Sequence, residues 1–251
     1  MRIIYENNVF DSVISTNSVD LNYPLENIQD TRLSRLYRSE TKTGVEIDLY
    51  NENIDKELNY IFLLNDNLTA TATVTIEANT VDSFTSPPFS KSLTYENGFY
   101  SAYFTDALDT YKYWRLTITD TSNTNDYIQI GMVIIGDYLQ LPAMKQDQSF
   151  PTVTKSRKSI SNSGQVYGSK RYKYKPVKAN FPFVSRQQKT DIESMFDEVE
   201  NYQPILMLMY ESDLSILAPL YCTLDSDTLK MDRNGTTLLP FKSSFDFIQA
   251  F

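Results

Sequence analysis

The chain contains no histidine, and Cys222 is its only thiol. Imidazole bases, Ser/His/Asp and Cys/His nucleophiles and most zinc sites are therefore excluded. An intrachain disulfide is excluded as well; Cys222, in the alternating run Pro219-Leu-Tyr-Cys-Thr-Leu224, reads as a small packed side chain. What remains is two-carboxylate chemistry of the glycosidase kind. Asp225 and Asp227 are a close pair, but they stand in a turn-like Leu-Asp-Ser-Asp-Thr stretch, where solvated acids belong. Asp48 alternates with Ile47 and Leu49, which places it on an exposed strand face and not in a pocket that would raise its pKa. Oxygen ligands for calcium could come from Asp120, Asn123, Asn125 and Asp126, yet turns are built from the same residue types. No P-loop, Rossmann or EF-hand pattern occurs. The expectation is a protein that is no enzyme, with no catalytic residue, no metal and no cofactor.

The second chemistry the residues offer is electrostatic. Residues 145–189 carry 11 Lys and Arg against the single Asp147, a net +10, inside a chain whose total is -9. The segment before it carries -11 and the segment after it -8. A basic waist between acidic ends suggests a contact surface, because charge this concentrated must be solvated or met by its opposite. Lys155, Arg157, Lys158, Lys170, Arg171, Lys173, Lys175 and Lys178 are the candidate interface residues. Lys170-Arg-Tyr-Lys-Tyr-Lys175 alternates cations with tyrosines, so a strand would present them on opposite faces. Such a strand could meet nucleic acid phosphates. The acidic balance of the whole chain turns the reading to a protein partner's acidic surface, with no specific nucleic acid.

The elements that must position these residues are mostly strands. Val45 to Leu49 and Ala70 to Glu77 alternate with period two, and Tyr60 to Leu64 is a short continuous apolar run. Phe99 to Phe104, Tyr113 to Thr119 and Tyr127 to Ile135 follow, with Pro87-Pro88 marking a loop and Asp120 to Asp126 a turn. Strands at this spacing, with no helical period between them, predict a β-sandwich over 1–142. Trp114 shares its face with Leu116 and Ile118 and reads as core. The polar stretch 143–169 reads as a linker or arm. From 170 to 251 the pattern predicts a small β-barrel-like domain with one α-helix over about 185–202: Ser185 and Gln188 form a capping box, and Ile192, Met195, Phe196 and Val199 fall on one face. Ile205 to Tyr210, Pro219 to Leu224 and Thr237 to Phe247 read as strands, with a turn at Asp232-Arg-Asn-Gly235. No run approaches the ~20 apolar residues of a membrane span. Met1 to Glu6 meets an acid before a signal-like run forms, so neither membrane insertion nor a secretion signal is expected.

The run from Tyr23 to Ser39, with Arg32, Arg35 and Arg38 beside Leu33 and Leu36, resembles the opening of galactose-binding-like (discoidin-type) jelly rolls of phage virion proteins. Val45 to Leu49, Tyr113 to Thr119 and Ile130 to Gly136 are similar to later strands of that fold, and Tyr37 stands where the pattern usually has Trp. By their own spacing, the three arginines are expected to pair with acids of the same domain. The segment from Lys170, with its helix and Pro219-Leu-Tyr221, is similar in layout to belt or tail-tube β-domains of distal and minor tail proteins. In the distal tail proteins, however, the two domains come in the reverse order.

These resemblances imply a structural component of a bacteriophage tail, made in the host cytoplasm and found in the virion. It would close a homo-oligomeric ring and connect neighbouring tail proteins. The alternative is a carbohydrate-binding adhesion module that recognises host glycans through loops at one end of the sandwich. The candidate loops are Asp82 to Ser90 and Asp120 to Asp126, with Asp120, Asn123, Asn125 and Asp126 as ligand-loop residues.

Overall fold

The structure is a computed structural model that describes residues 1–52, 58–105, 111–142, 144, 151–171, 173–174, 176–209, 218–225, 229, 231–233 and 241–249. It is mainly β, with one α-helix among the described residues. Two compact units share the chain: one spans Arg2–Leu139, the other Gln140–Met207 and Leu220–Ala250.

The first unit holds β1 (Arg2–Ile4), β2 (Val13–Thr16), β3 (Tyr37–Arg38), β4 (Val45–Tyr50), β5 (Tyr60–Leu64), β6 (Thr73–Asn79), β7 (Phe89–Ser92), β8 (Thr94–Glu96), β9 (Phe99–Tyr103), β10 (Tyr113–Thr119), β11 (Gln129–Ile130) and β12 (Met132–Gly136). Two antiparallel sheets, β2-β4-β10-β6-β7 and β12-β5-β9-β8, make a sandwich. Period-two alternation builds its inner layer. Register aligns Leu49, Trp114 and Ala78 in one row, Ile47, Leu116 and Ile76 in the next, and Val45, Ile118 and Val74 in a third. All nine are buried. From the facing sheet come Ile135, Ile61 and Ala102, then Val133, Leu63 and Tyr100. Each fully buried aliphatic side chain of this kind contributes roughly 1.5–3 kcal/mol.

The Tyr23 to Ser39 run serves this core. A 3-10 turn, Leu25–Gln29, inserts Leu25 and Ile28. Tyr37 is fully buried, and its hydroxyl donates to the Ser18 carbonyl at 2.5 Å, so the polar tip is satisfied while the ring fills the core. Arg32 and Arg35 both pair with Asp30, at 2.6 and 3.7 Å, and the Arg32 hydrogen bond holds the Asp30 carboxyl down at about 2. Arg38 departs from the expected acid pairing: its guanidinium lies 3.8 Å from the Tyr23 ring centroid and 4.8 Å from that of Tyr127. The Tyr127 to Ile135 run is two strands, because Gly131 breaks it where its amide donates to the Leu64 carbonyl.

The remaining strands are β13 (Leu139–Gln140), β14 (Val153–Thr154), β15 (Arg157–Ile160), β16 (Val166–Ser169), β17 (Lys173–Tyr174), β18 (Pro176–Val184), β19 (Ile205–Leu208), β20 (Leu220–Leu224), β21 (Met231–Arg233) and β22 (Phe241–Gln249), with helix α1 (Arg186–Val199) between β18 and β19. Within the second unit, β19-β20-β22-β18 lie side by side, and β21 joins β22. Phe181 and Phe245 meet edge-on at 5.8 Å. The capping box forms as its residues predict: Ser185 accepts from the Gln188 amide at 3.2 Å, and the Gln188 side chain accepts from the Ser185 amide at 3.0 Å. Ile192, Met195 and Val199 are buried, whereas Phe196 is only half-buried.

Two expectations change. The stretch read as a linker carries strands, because Val153, Ile160, Val166 and Tyr167 favour extended backbone and Gly164, at φ 81°, allows the turn between β15 and β16. Asp232 and Arg233, read as part of a turn, continue strand β21 opposite Lys242 and Phe241, while Asn234 and Gly235 lie outside the described residues.

Gly136 has no room for a side chain. A Cβ there would land on the Glu6 carbonyl oxygen and press on Ile4 at 3.1 Å. Gly136→Ala is therefore expected to destabilise the first unit by about 1–3 kcal/mol. Gly168→Ala, whose nearest neighbour would be 4.0 Å away, should leave thermal unfolding unchanged. Equal melting temperatures for the two variants would refute the close approach.

Candidate functional site

The alternation that fills the core also arranges the opposite, outward face of β4 and β10. There Val13, Tyr50, Tyr113 and Asn79 form one cross-strand row, and Ser15, Asp48, Arg115 and Glu77 form the next. The Tyr50 and Tyr113 rings lie 4.7 Å apart, tilted by 32°. Arg115 grips Asp48 bidentately at 2.6 and 2.8 Å and reaches Glu46 at 3.2 Å. The Asp48 hydrogen bond raises the already high pKa of the guanidinium, so its charge is permanent. The Phe84 ring lies over the same guanidinium, 4.5 Å from its carbon. Arg115 thus ties the loop after β6 to the sheet face.

The result is a depression of about 270 Å³ lined by Val13, Ser15, Asp48, Tyr50, Asp82, Phe84 and Tyr113, with Leu49 and Trp114 behind them. Its walls are two half-buried tyrosine rings and a phenylalanine, and its polar groups are a serine hydroxyl and carboxylates. This composition suits a small ligand with one apolar face and several hydroxyl donors. Asp48 faces outward and Trp114 lies in the core, 2% exposed, as their alternation predicts. The loop Asp82 to Ser90 contributes Asp82 and Phe84. Tyr50, Tyr113 and Arg115 were not among the expected site residues, although their outward phase marks each of them.

The second candidate loop has another use. Asp120 is buried and accepts from the Thr69 amide and hydroxyl, both at 2.7 Å. Asn123, also buried, donates to the Asn67 carbonyl at 3.1 Å, and its own carbonyl accepts from Lys42 Nζ at 2.9 Å. Asn125 donates its amide to the Asn123 side chain at 2.9 Å, and the Asp126 carboxylate is fully exposed, 3.9 Å from Lys42. Asp120 and Asn123 hold the loop to the 67–69 segment, Asn125 braces the turn and Asp126 points to solvent.

The basic residues fall in the second unit. Arg157 and Lys158 are exposed on β15, Lys170, Arg171 and Lys173 are exposed nearby in sequence, and Lys155 lies 5.4 Å from the Tyr174 ring. Lys178 pairs across strands with Asp246 at 3.7 Å, and Lys175 lies outside the described residues. Of the alternating block, only Lys173 and Tyr174 are described as strand, paired with Thr154 and Val153. Asp225 is exposed, and Asp227 lies outside the described residues. The Cys222 thiol is buried and pushed up in pKa by desolvation, an inert packed group. Among the described residues no three His, Cys, Asp or Glu side chains come together to hold a metal ion.

No protein-family model matches the sequence, and no curated protein matches it significantly. Among solved structures, the chain is similar to a family 32 carbohydrate-binding module of C. perfringens NanJ in complex with galactose (TM-score 0.42, 9% identity, 55% of this chain and 100% of that one). It is also similar to the lectin domain of lectinolysin complexed with Lewis B antigen (0.40, 10%, 52% and 95%). A third is chitosan-binding module 1 of a chitosanase/glucanase from Paenibacillus sp. IK-5 (0.40, 16%, 53% and 99%).

Beside the Asp120 loop, folding raises the pKa of the Asp66 carboxyl. Burial pushes it up to about 6, the Leu68 amide pulls it down, and the Asp120 charge pushes it up again. Between pH 4 and 6 the folded chain therefore holds a proton that the unfolded chain has released, and stability falls as pH rises through that window. Asp66→Asn keeps an oxygen for the Leu68 amide, so urea titrations should show this slope removed and the variant more stable at pH 7, by on the order of 1–3 kcal/mol. Parallel pH profiles for wild type and variant would refute the assignment.

Proposed function

We propose that the first unit is a carbohydrate-binding module and that its ligand lies on the Tyr50–Tyr113 pair. The observation that carries this reading is the outward row itself: two rings 4.7 Å apart in a depression that also presents Ser15, Asp48 and Asp82. An aromatic face carries negative π density that attracts the polarised C–H face of a pyranose ring. Neighbouring carboxylates accept hydrogen bonds from its hydroxyls, and charged acceptors make such bonds strong. With Glu46, Asp48, Glu77 and Asp82 around a single arginine, the site favours neutral or amino sugars and repels uronic and sialic acids. The role is binding, with no bond made or broken in the ligand. A phage tail component, the larger role that the sequence resemblances imply, would use such a module to hold a host surface.

The test is a glycan array probed with the full chain, carrying neutral, amino and acidic sugars. Saturable binding confined to neutral or amino sugars is expected. Tyr50→Ala and Tyr113→Ala should each weaken it at least about tenfold, ~1.4 kcal/mol, with thermal unfolding little changed. The reading fails if no saturable sugar-specific signal appears, or if both alanine variants bind as wild type does.

A further inference from the structure

The β15–β16 hairpin is exposed on both faces. Its register sets Arg157 opposite Ser169, Lys158 opposite Gly168, Ser159 opposite Tyr167 and Ile160 opposite Val166, and all eight residues are exposed. Ile160, Val166 and Tyr167 are 64%, 59% and 58% exposed, so the apolar residues that favour the strands bury little within their own chain. A two-stranded hairpin without a packed face is marginal in water, and a partner would supply the missing burial. Alternation gives each face both kinds of contact: Lys158 with Ile160 and Val166 on one side, Arg157 with Tyr167 on the other.

The same unit carries a surface of opposite character. Phe196, Asp197, Glu200 and Asn201 line a depression of about 280 Å³ at the end of helix α1, and Phe196 is its half-buried apolar member. Asp197, Glu198 and Glu200 are exposed, no basic residue occupies the last turn, and none of the three carboxylates has an ion-pair partner among the described residues. Helix carbonyls already make that end negative, so acids there raise the energy of the isolated chain, and a cation brought to them lowers it.

We infer that the 157–169 hairpin of one copy docks onto the Phe196–Glu200 end of helix α1 in a second copy, with Arg157 and Lys158 meeting Asp197 and Glu200 and the apolar hairpin residues meeting Phe196. Charge complementarity selects this occupant: outside residues 145–189 the chain sums to -19, so the hairpin's natural partner is the acidic remainder of another copy. The contact is heterologous. Each copy offers one hairpin and one acidic helix end, so contacts repeat head to tail and close a ring or extend a chain of copies. A single small contact of this sort is weak, in the micromolar range or above, and its attraction is screened by salt. It uses the second unit alone and stands apart from the carbohydrate reading.

The experiment is sedimentation velocity of the full chain at low and high ionic strength over ~1–100 µM, a span matched to weak association. Wild type is expected to associate reversibly at low salt and to dissociate at high salt. Arg157→Glu with Lys158→Glu should weaken association at least tenfold. Asp197→Lys with Glu200→Lys should do the same while leaving the helix folded, because cations favour its C-terminal end. An equimolar mixture of the two charge-reversed proteins tests the pairing directly: the reversed partners should form a complex that neither makes alone. A wild type that stays monomeric throughout overturns the proposal, as does association that survives the hairpin change. Loss with the hairpin change but not with the helix change overturns the docking site. If the monomer binds anionic vesicles or polyphosphate through the hairpin instead, the occupant is wrong.

Discussion

Everything on the first unit depends on the register between β4 and β10. The alignment Trp114 with Leu49, Leu116 with Ile47 and Ile118 with Val45 buries three rows, and by the same geometry stacks Tyr113 on Tyr50 and Arg115 on Asp48 outside. A slip of one residue would exchange the two faces. Trp114 would go to water, and Arg115 with Asp48 would go into a layer of aliphatic side chains, where an ion pair loses more hydration than it regains. Burial of the inner rows therefore enforces the outer arrangement. The site needs no fold of its own because the core has already set its spacing.

Arginine placement extends the same economy. The chain is rich in tyrosine, 18 residues, and several of these rings receive guanidinium groups. Arg2 lies 4.1, 5.3 and 5.8 Å from the rings of Tyr138, Tyr103 and Tyr60 and donates to the Tyr60 hydroxyl. Arg38 sits between Tyr23 and Tyr127. Rings accept a guanidinium without the desolvated counter-charge that an acid would bring, and they pack their edges against the neighbouring core. At Arg115, an aromatic ring and carboxylates converge on the same guanidinium, which organises the outer face.

Much of this was legible in the sequence, and the divide between what was and was not is one of range. Period two in Val45 to Leu49 and Tyr113 to Thr119 identified the strands, the buried side of Trp114 and the outward side of Asp48, because alternation is a local property. The Ser185–Gln188 capping box was readable for the same reason. The Tyr50–Tyr113 pair was not: its members are 63 positions apart, and nothing local states that β4 and β10 are neighbours. Phe84 was hidden in a proline-rich loop whose resting place is set by Arg115 on a different strand. The oxygen-rich segment from Asp120 to Asp126 shows the same limit of range. Its composition fits a ligand loop, but Asp120 and Asn123 satisfy backbone amides and carbonyls of the 67–69 segment, which sequence proximity cannot reveal.

The carboxyls of the first unit differ in what meets them: Asp66 is engaged by a backbone amide, and those of the outer face by a cation or by water. A general acid needs a carboxyl held protonated near neutrality beside the reacting atom, and burial is the usual means. Burial raises Asp66 in that direction, yet its oxygen is engaged with the Leu68 amide in a loop braced by Asp120 and Asn67. In the depression the arrangement differs: Asp48 accepts two hydrogen bonds from Arg115, and Asp82 is exposed to water. Side-chain oxygens so placed can accept hydrogen bonds from the hydroxyls of a ligand. On the proposed carbohydrate reading, these oxygens hold the sugar hydroxyls and the aromatic pair beside them supplies the apolar half of the same grip.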